Sequence, residues 1–231
     1  MSNKNRFSYW SMSLIFVLVS LVFNTVQAGC EDKRSPGMDW SGCKKMHKML
    51  NGQNFTGSKF DNANLYSSNL DRSNFTDASL VKTDFSRASF NFSNFTRANL
   101  TRSVGFRTSF NNASFLNTRM SKSEFSRASF KGASFFEVDW SRAELGRANF
   151  SGAQLNDVDF EYSNLSRAKF DRATLNNVNF SGAYTFLTRF ENVDLNKTLW
   201  LSQAQLDMAC GNENTRLPPG LEKPASWPCA E

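Results

Sequence analysis

From Phe55 to Trp200 a large apolar residue recurs at every fifth position. Thirty positions fall on this register, and only Gly105 and Thr185 fail to carry Phe, Leu, Met or Trp. Two residues before each large one stands a small one, Ala, Ser, Thr or Val, with Gln53 the one departure. The residue between them is often polar, as at Asn54, Asp84, Asp139, Asp159 and Asn164, and the two that follow are rich in Ser, Asn, Asp, Arg and Gly. A period of five fits neither the 3.6 of a helix nor the 2.0 of a flat strand, so the chain has to turn within every repeat. One short strand and one tight turn per repeat close a square coil of four repeats, and coils stack at the inter-strand spacing of ~4.8 Å. Large and small residues then alternate inside a narrow prism and fill it without voids, while the residue between them points out. The two positions after the large residue hold the side chains that tight turns accept. The pattern predicts an all-β solenoid in which each repeat contacts only its neighbours.

The tandem units Ala63-Asn64-Leu65, Ser73-Asn74-Phe75, Ala88-Ser89-Phe90, Ala98-Asn99-Leu100, Ala148-Asn149-Phe150 and Ala168-Lys169-Phe170 resemble the pentapeptide repeat family. The resemblance covers most of the chain. It implies a right-handed quadrilateral parallel β-helix, with Phe or Leu at the centre of each repeat and Ala or Ser two before it. It implies no single activity, because members of the family have very different roles.

Four segments are expected: a secretory signal over 1–28, an amino-terminal cap and degenerate first coil over 29–50, the repeat helix over 51–200, and a carboxy-terminal cap and tail over 201–231. In the first, Lys4 and Arg6 precede a nearly continuous apolar run from Met12 to Val22, and Val26-Gln27-Ala28 offers small residues before a cut. The apolar run is short for a membrane span, and Gln27 spoils the box that would make Cys30 a lipid-anchored residue. This predicts cleavage after Ala28 and export to the bacterial periplasm or beyond, with no transmembrane span in the mature chain. Met38-Asp39-Trp40-Ser41-Gly42 is in phase with the repeats, which puts Cys43 at an inward small-residue position. Ser202-Gln203-Ala204-Gln205 has the spacing of a capping box, and Leu206, Met208 and Gly211 suit a short helix with its terminator. Beyond it, Leu217-Pro218-Pro219-Gly220 reads as a tail tied back by Cys229, or as disorder.

The cysteines, Cys30, Cys43, Cys210 and Cys229, all lie outside the main run of repeats. In an oxidising compartment the sequence-local pairing, Cys30 with Cys43 and Cys210 with Cys229, is the most economical of three connectivities. A metal site competes with it, but no Cys-x-x-Cys occurs and His47 is the single histidine, so neither metal nor cofactor is expected.

The formal charge of +6 falls to +4 once Lys4 and Arg6 are removed, a mild excess that selects few partners by itself. Its distribution is more informative, because residues twenty apart stack. One column is Arg87, Arg107, Arg127, Arg147 and Arg167, and the neighbouring corner is Lys82, Arg102, Lys122 and Arg142. These cations make one side of the rod basic and are candidates for binding an anionic partner: a protein, a glycan or another envelope component. The competing reading is scaffolding, with Asp84, Glu124 and Glu144 between the two edges bridging to the cations and the arginine stems covering turn atoms. Nucleic acid is disfavoured, because export separates the protein from it and few aromatics interleave the strip.

Gly105 and Thr185 share one column, and Phe106 and Phe186 after them are expected to tuck into the gaps. Phe92, Leu116 and Phe136 stand at turn positions where polar residues are the rule, either as an apolar patch for a homodimer or partner or as a cover over bulged corners. Catalytic signals are thin: His47 has no evident partner, no phosphate-cradling loop occurs, and Asp139 and Asp159 stack as surface carboxylates rather than as an acid and base. Repeated Asn-Phe-Thr and Asn-Phe-Ser triplets match a glycosylation pattern as by-products of the repeat. The reading is a non-catalytic exported structural or interaction protein. The alternatives are a DNA mimic that protects a topoisomerase, as some family members are, and a hydrolase on a β-helix scaffold.

Overall fold

The structure, a computed structural model, describes residues 29–31 and 33–229. The expected signal segment 1–28 lies outside the described residues. The chain winds as a right-handed square β-helix with twenty residues per coil, each outward strand residue pairing in parallel with the residue twenty further on, as in Asn54↔Asn74↔Asn94. On one face the pairing extends into strands β1 (Ser114–Leu116), β2 (Ser134–Asp139), β3 (Gln154–Asp159) and β4 (Thr174–Asn176), which form a parallel sheet in that order. A helix, α1 (Gln203–Met208), closes the carboxy-terminal end.

Every repeat is built by the same few bonds. Asn74 N–H donates to the Gln53 carbonyl in the coil before (2.9 Å), and Phe75 N–H donates to the Asn94 carbonyl in the coil after (2.7 Å). The turn is closed by Ala78 N–H donating to the Phe75 carbonyl (3.0 Å), which forces the second residue after the large one into the left-handed region: Asp77 has φ 59°, Arg87 58° and Arg107 57°. An L-residue pays roughly 1–2 kcal/mol for that conformation. The cost is offset because its N–H then reaches the next coil, as Asp77 N–H does to the Thr96 carbonyl (2.9 Å). The outward Asn or Asp has a task beyond being polar: its side chain accepts from the first turn N–H, as in Asn74 to Thr76 (3.0 Å), Asp84 to Ser86 (2.9 Å) and Asn164 to Ser166 (3.0 Å).

Inside the prism the large residues are fully buried and their rings stack from coil to coil. Phe90, Phe110, Phe130, Phe150 and Phe170 form one column with centroids 4.9–5.1 Å apart, close to the coil rise and in the range where offset stacking is favourable. Phe75, Phe95, Phe115 and Phe135 form a second, 4.9–5.0 Å apart. Many buried hydroxyls at the small-residue positions are satisfied by carbonyls of the preceding coil, as Thr83 donates to Phe60 (2.6 Å), Ser93 to Leu70 (2.9 Å) and Thr118 to Phe95 (2.8 Å), while Ser103 donates to Leu100 in its own turn (2.8 Å) and Ser163 Oγ has no hydrogen-bond partner.

Three expectations fail. Phe106 and Phe186 do not tuck in, being 37% and 41% exposed. The gap at Gly105 is closed instead from the coils on either side: Phe85 and Phe125, two coils apart, approach to 5.7 Å between centroids, and a Cβ on Gly105 would lie 2.6 Å from Phe125 and 2.8 Å from Phe85. Gly105→Ala therefore overpacks the column, and denaturant unfolding is expected to show a loss of about 1–3 kcal/mol. The Phe or Leu that the repeat places at this position elsewhere would overpack the column further. Trp200, on register for the interior, is 76% exposed, and Leu201 is buried at the helix end in its stead. Gly211 does not terminate the helix, whose C-cap is Ala209; it is kept small because the Trp227 ring lies over it.

Both ends are sealed. Cys30 is joined to the buried Cys43 and Cys210 to Cys229, with Cα separations of 5.6 and 5.4 Å. At the first coil an inward Lys45 places its ammonium 4.3 Å from the Trp40 ring centroid and donates to the Cys30 carbonyl. At the other end the capping box is formed, with Ser202 accepting from Gln205 N–H and the Gln205 side chain accepting from Ser202 N–H (2.9 Å). The same Gln205 amide donates to the Phe180 (2.7 Å) and Ala183 (2.8 Å) carbonyls, and its own carbonyl accepts from Thr185 Oγ1 (2.7 Å). Thr185 interrupts the apolar column because it is where the cap is bonded on. Trp227 Nε1 donates to Ala209 (2.7 Å), so the proline-containing tail is folded onto the helix.

Candidate interaction surface

All nine cations of the predicted strip are exposed, and each occupies the left-handed turn position at a corner of the coil. Their backbones are fixed by the coil after them: Arg87 donates to Phe106 (2.9 Å), Arg107 to Ser126 (3.2 Å), Arg127 to Gly146 (2.9 Å), Arg147 to Ser166 (2.8 Å) and Arg167 to Phe186 (2.8 Å). The Cα positions at consecutive steps of this arginine edge are thus one coil rise, ~4.8 Å, apart. The second edge, Lys82, Arg102, Lys122 and Arg142, is held in the same way.

The carboxylates between the edges do not bridge to them. Among the described residues the ion pairs are Arg97–Asp77, Arg189–Glu191 and Arg216–Asp194, none of which involves a cation of the strip. Asp84 is turned back to cap the Ser86 N–H, and Glu144 accepts from Asn164 Nδ2 (2.8 Å). Arg97 and Asp77 show what a real pair looks like in this lattice: they stack twenty residues apart in a two-pronged contact (2.6 Å for each prong), and the guanidinium holds the Asp77 carboxyl below its ordinary value.

The two basic edges are not equivalent. Beside the lysine-arginine edge lie Asp61 and Glu161 in the adjoining turn column and Asp39, Asp139 and Asp159 on the next face. Beside the arginine edge, the turn column Tyr66, Ser86, Phe106, Ser126, Gly146, Ser166, Phe186 and the face column Asn69, Ser89, Ser109, Ser129, Asn149, Lys169, Arg189 contain no carboxylate, and those on its other side, Asp84, Glu124 and Glu144, are on the face shared by both edges. Aromatics interleave this edge more than the sequence reading allowed. Arg107 and Arg127 lie 5.1 and 5.9 Å from the Phe106 centroid, Arg87 lies 6.0 Å from Tyr66, and Tyr184 stacks on Phe186 at 6.2 Å. Tyr66, Phe106 and Phe186 differ by multiples of twenty and form the column beside the arginines, so this signal is present in the sequence.

The remaining candidates are separated from this edge. Leu116 and Phe136 are register partners at the ends of paired strand segments and are exposed rather than covering the core, while Phe92 is on a different corner, beneath Arg72 at 5.8 Å. They form no single patch. Asp139 and Asp159 stack, but each caps the next turn, through Ser141 (2.9 Å) and Glu161 (2.9 Å). His47 packs edge-on against Tyr66 (5.6 Å). The Asn residues of the glycosylation-like triplets at 74 and 94 donate their Nδ2 to Thr56 (3.1 Å) and Thr76 (3.2 Å) in the coil before, which ties them into a surface ladder. Among the described residues no group of His, Cys, Asp and Glu is arranged to hold a metal, and no helix is long and apolar enough to cross a membrane.

The twenty-residue coil with inward Phe or Leu is matched by two family models: pentapeptide repeats in eight copies over residues 68–104, and a pentapeptide repeat region over 106–180 and 123–200. The chain belongs to the pentapeptide repeat family. No curated protein sequence matches it significantly. Among solved structures, this pentapeptide repeat protein is similar to QnrB1, a plasmid-mediated fluoroquinolone resistance protein, in a trypsin-treated variant form. The identity is 18% over 76% of this chain and 88% of that one, with a TM-score of 0.57. HetL, a pentapeptide repeat protein involved in heterocyst differentiation regulation from the cyanobacterium Nostoc sp. strain PCC 7120, is 21% identical over 84% of this chain and 89% of its own, with a TM-score of 0.42. At these identities the likeness concerns the fold.

Proposed function

We propose that this pentapeptide repeat protein is an exported, non-catalytic interaction rod that binds an anionic partner along its arginine edge. The observation that carries the reading is the pairing state of that edge: five arginines on one corner with no ion pair to any of them among the described residues, although Asp84, Glu124 and Glu144 stand on the face beside them. A scaffold ladder would gain from neutralising its own repulsion, and Arg97–Asp77 demonstrates that the coil spacing permits it. Unpaired charge repeated at fixed intervals on a rigid support instead favours a partner of opposite sign. Export is supported by the signal-like segment 1–28 and by disulfides at both ends, which persist in oxidising compartments. A rod that stands in for DNA needs columns of acids, and the fluoroquinolone resistance of QnrB1 is not carried over to a chain whose dominant ladder is arginine.

The test is binding of the purified protein to anionic polymers and anionic vesicles, with Arg107→Glu/Arg127→Glu compared with Arg102→Glu/Lys122→Glu. Glutamate is already accommodated at this turn position at Glu137 (φ 53°), so the folds are expected to survive. The first pair should weaken binding on the order of tenfold or more and the second distinctly less, with the wild-type affinity falling as salt is raised. Equal losses for both pairs, or no binding to any anion, overturn the proposal.

A further inference from the structure

We infer that the partner of the arginine edge is a linear, β-1,4-linked polyuronate, a glycan with one carboxylate per sugar ring. This rests on the reading of that edge as an anion-binding surface and goes beyond it by naming the ligand. Two spacings carry it. The arginines recur once per coil from Arg87 to Arg167, so an extended ligand meets a guanidinium every ~4.8 Å, close to the length of one pyranose ring along an extended β-1,4 chain. The aromatics recur at half that frequency. In the adjoining column Tyr66, Phe106 and Phe186 fall on a forty-residue period, with Ser86, Ser126 and Ser166 at the alternate coils.

A platform every second coil, ~9.6 Å apart, suits a ribbon with a two-fold screw, in which alternate sugars present the same face and the same carboxylate side, so that each carboxylate facing the edge has two arginines within its repeat. The apolar C–H face of a sugar stacks on an aromatic ring, whereas its carboxylate seeks a bidentate guanidinium. Phe106, 37% exposed and flanked by Arg107 and Arg127 at 5.1 and 5.9 Å, offers both groups at one place. The platform is interrupted at Gly146, so the stacking is strongest at the two ends of the ladder. At the carboxy-terminal end Arg167, Lys169, Leu187, the Glu191-paired Arg189 and the Cys210–Cys229 bridge line a depression of about 180 Å³, where Arg167 and Lys169 are the cations left to meet the charge of a chain terminus.

Competing polyanions fit less well. A single nucleic-acid strand stacks successive bases on successive aromatics, so it gains little from an aromatic at alternate coils. A lipid surface is flat and fluid and imposes no spacing along the rod.

The experiment measures affinity of the purified full chain for polymannuronate, for neutral β-1,4-mannan, for heparin, for single-stranded DNA and for vesicles containing an anionic lipid. The variants are Phe106→Ser, which copies the residues one coil either side, Arg107→Glu/Arg127→Glu, and Arg102→Glu/Lys122→Glu as the control edge. Polymannuronate is expected to bind tightest and mannan not measurably. Phe106→Ser should lose on the order of tenfold for polymannuronate but not for heparin, a split that loss of charge alone does not produce. If heparin, DNA or vesicles bind as tightly as polymannuronate and Phe106→Ser is neutral, the polyuronate assignment falls while the anionic edge stands. If no anion binds, both fall.

Discussion

Phe110→Ala should cost about 3–5 kcal/mol, the largest loss from any single side chain considered in this protein. Phe110 is stacked between Phe90 (5.1 Å, 12°) and Phe130 (5.1 Å, 2°) and meets the edges of Phe95, Phe115 and Phe125 from neighbouring corners. Its removal leaves a void that the square backbone cannot collapse into, because four walls of hydrogen-bonded ladder hold the coils apart. The measurement is equilibrium unfolding in guanidinium. Because repeats couple only to their neighbours, the variant is also expected to broaden the transition as the two halves begin to unfold separately. A loss below 1 kcal/mol would mean that the coil relaxes, and would contradict the rigid prism described above.

The second large effect is at the cap. Replacing both cysteines of the Cys210–Cys229 bridge with alanine opens a loop with a sequence separation of 19 residues, worth about 3 kcal/mol by the loop-closure argument. The bridge covalently closes residues 217–229, which are otherwise held by Trp227 Nε1 donating to Ala209, by the two bonds between Gln203 and the Glu222 backbone (2.9 and 3.0 Å), and by Leu217, Leu221 and Trp227 packing against the core. Proteolysis of the double variant should begin within this tail, followed by fraying of the coil beneath α1. A thiol reductant acting on the wild type opens Cys30–Cys43 as well and should add fraying of the first coil to this pattern, and an unchanged unfolding midpoint of the double variant would show that the tail does not stabilise the coils.

What could be read in advance was whatever twenty-residue arithmetic controls. The inward columns, the turn positions and the two basic edges follow from residue numbers alone, because no insertion disturbs the register. The failures all come from the third dimension. Gly105 and Phe106 were read as a local repair, yet in a stack the nearest filler is the ring above or below, and Phe85 with Phe125 closes the gap without rotating the backbone. Asp84 and Glu144 looked placed to neutralise arginines, but a strand residue beside a tight turn has a nearer partner in the turn N–H or in the next residue up its own column. Trp200 kept the period after the coil had ended, because Gln205 occupies the bonding positions of a further turn. The aromatic spacing is itself legible in the sequence, in the column beside the arginines.

The uniform coil turns chain length into geometry. An insertion or deletion of twenty residues adds or removes one storey and leaves each vertical line of side chains intact, so the arginine edge is lengthened or shortened without being interrupted. A change of five residues preserves the buried Phe and Leu packing but rotates everything beyond it by a quarter turn, and the arginines downstream then continue on a different corner. Stability tolerates both kinds of change, whereas a long ligand bound along one edge tolerates only the first. In this fold the core counts in fives and the surface counts in twenties.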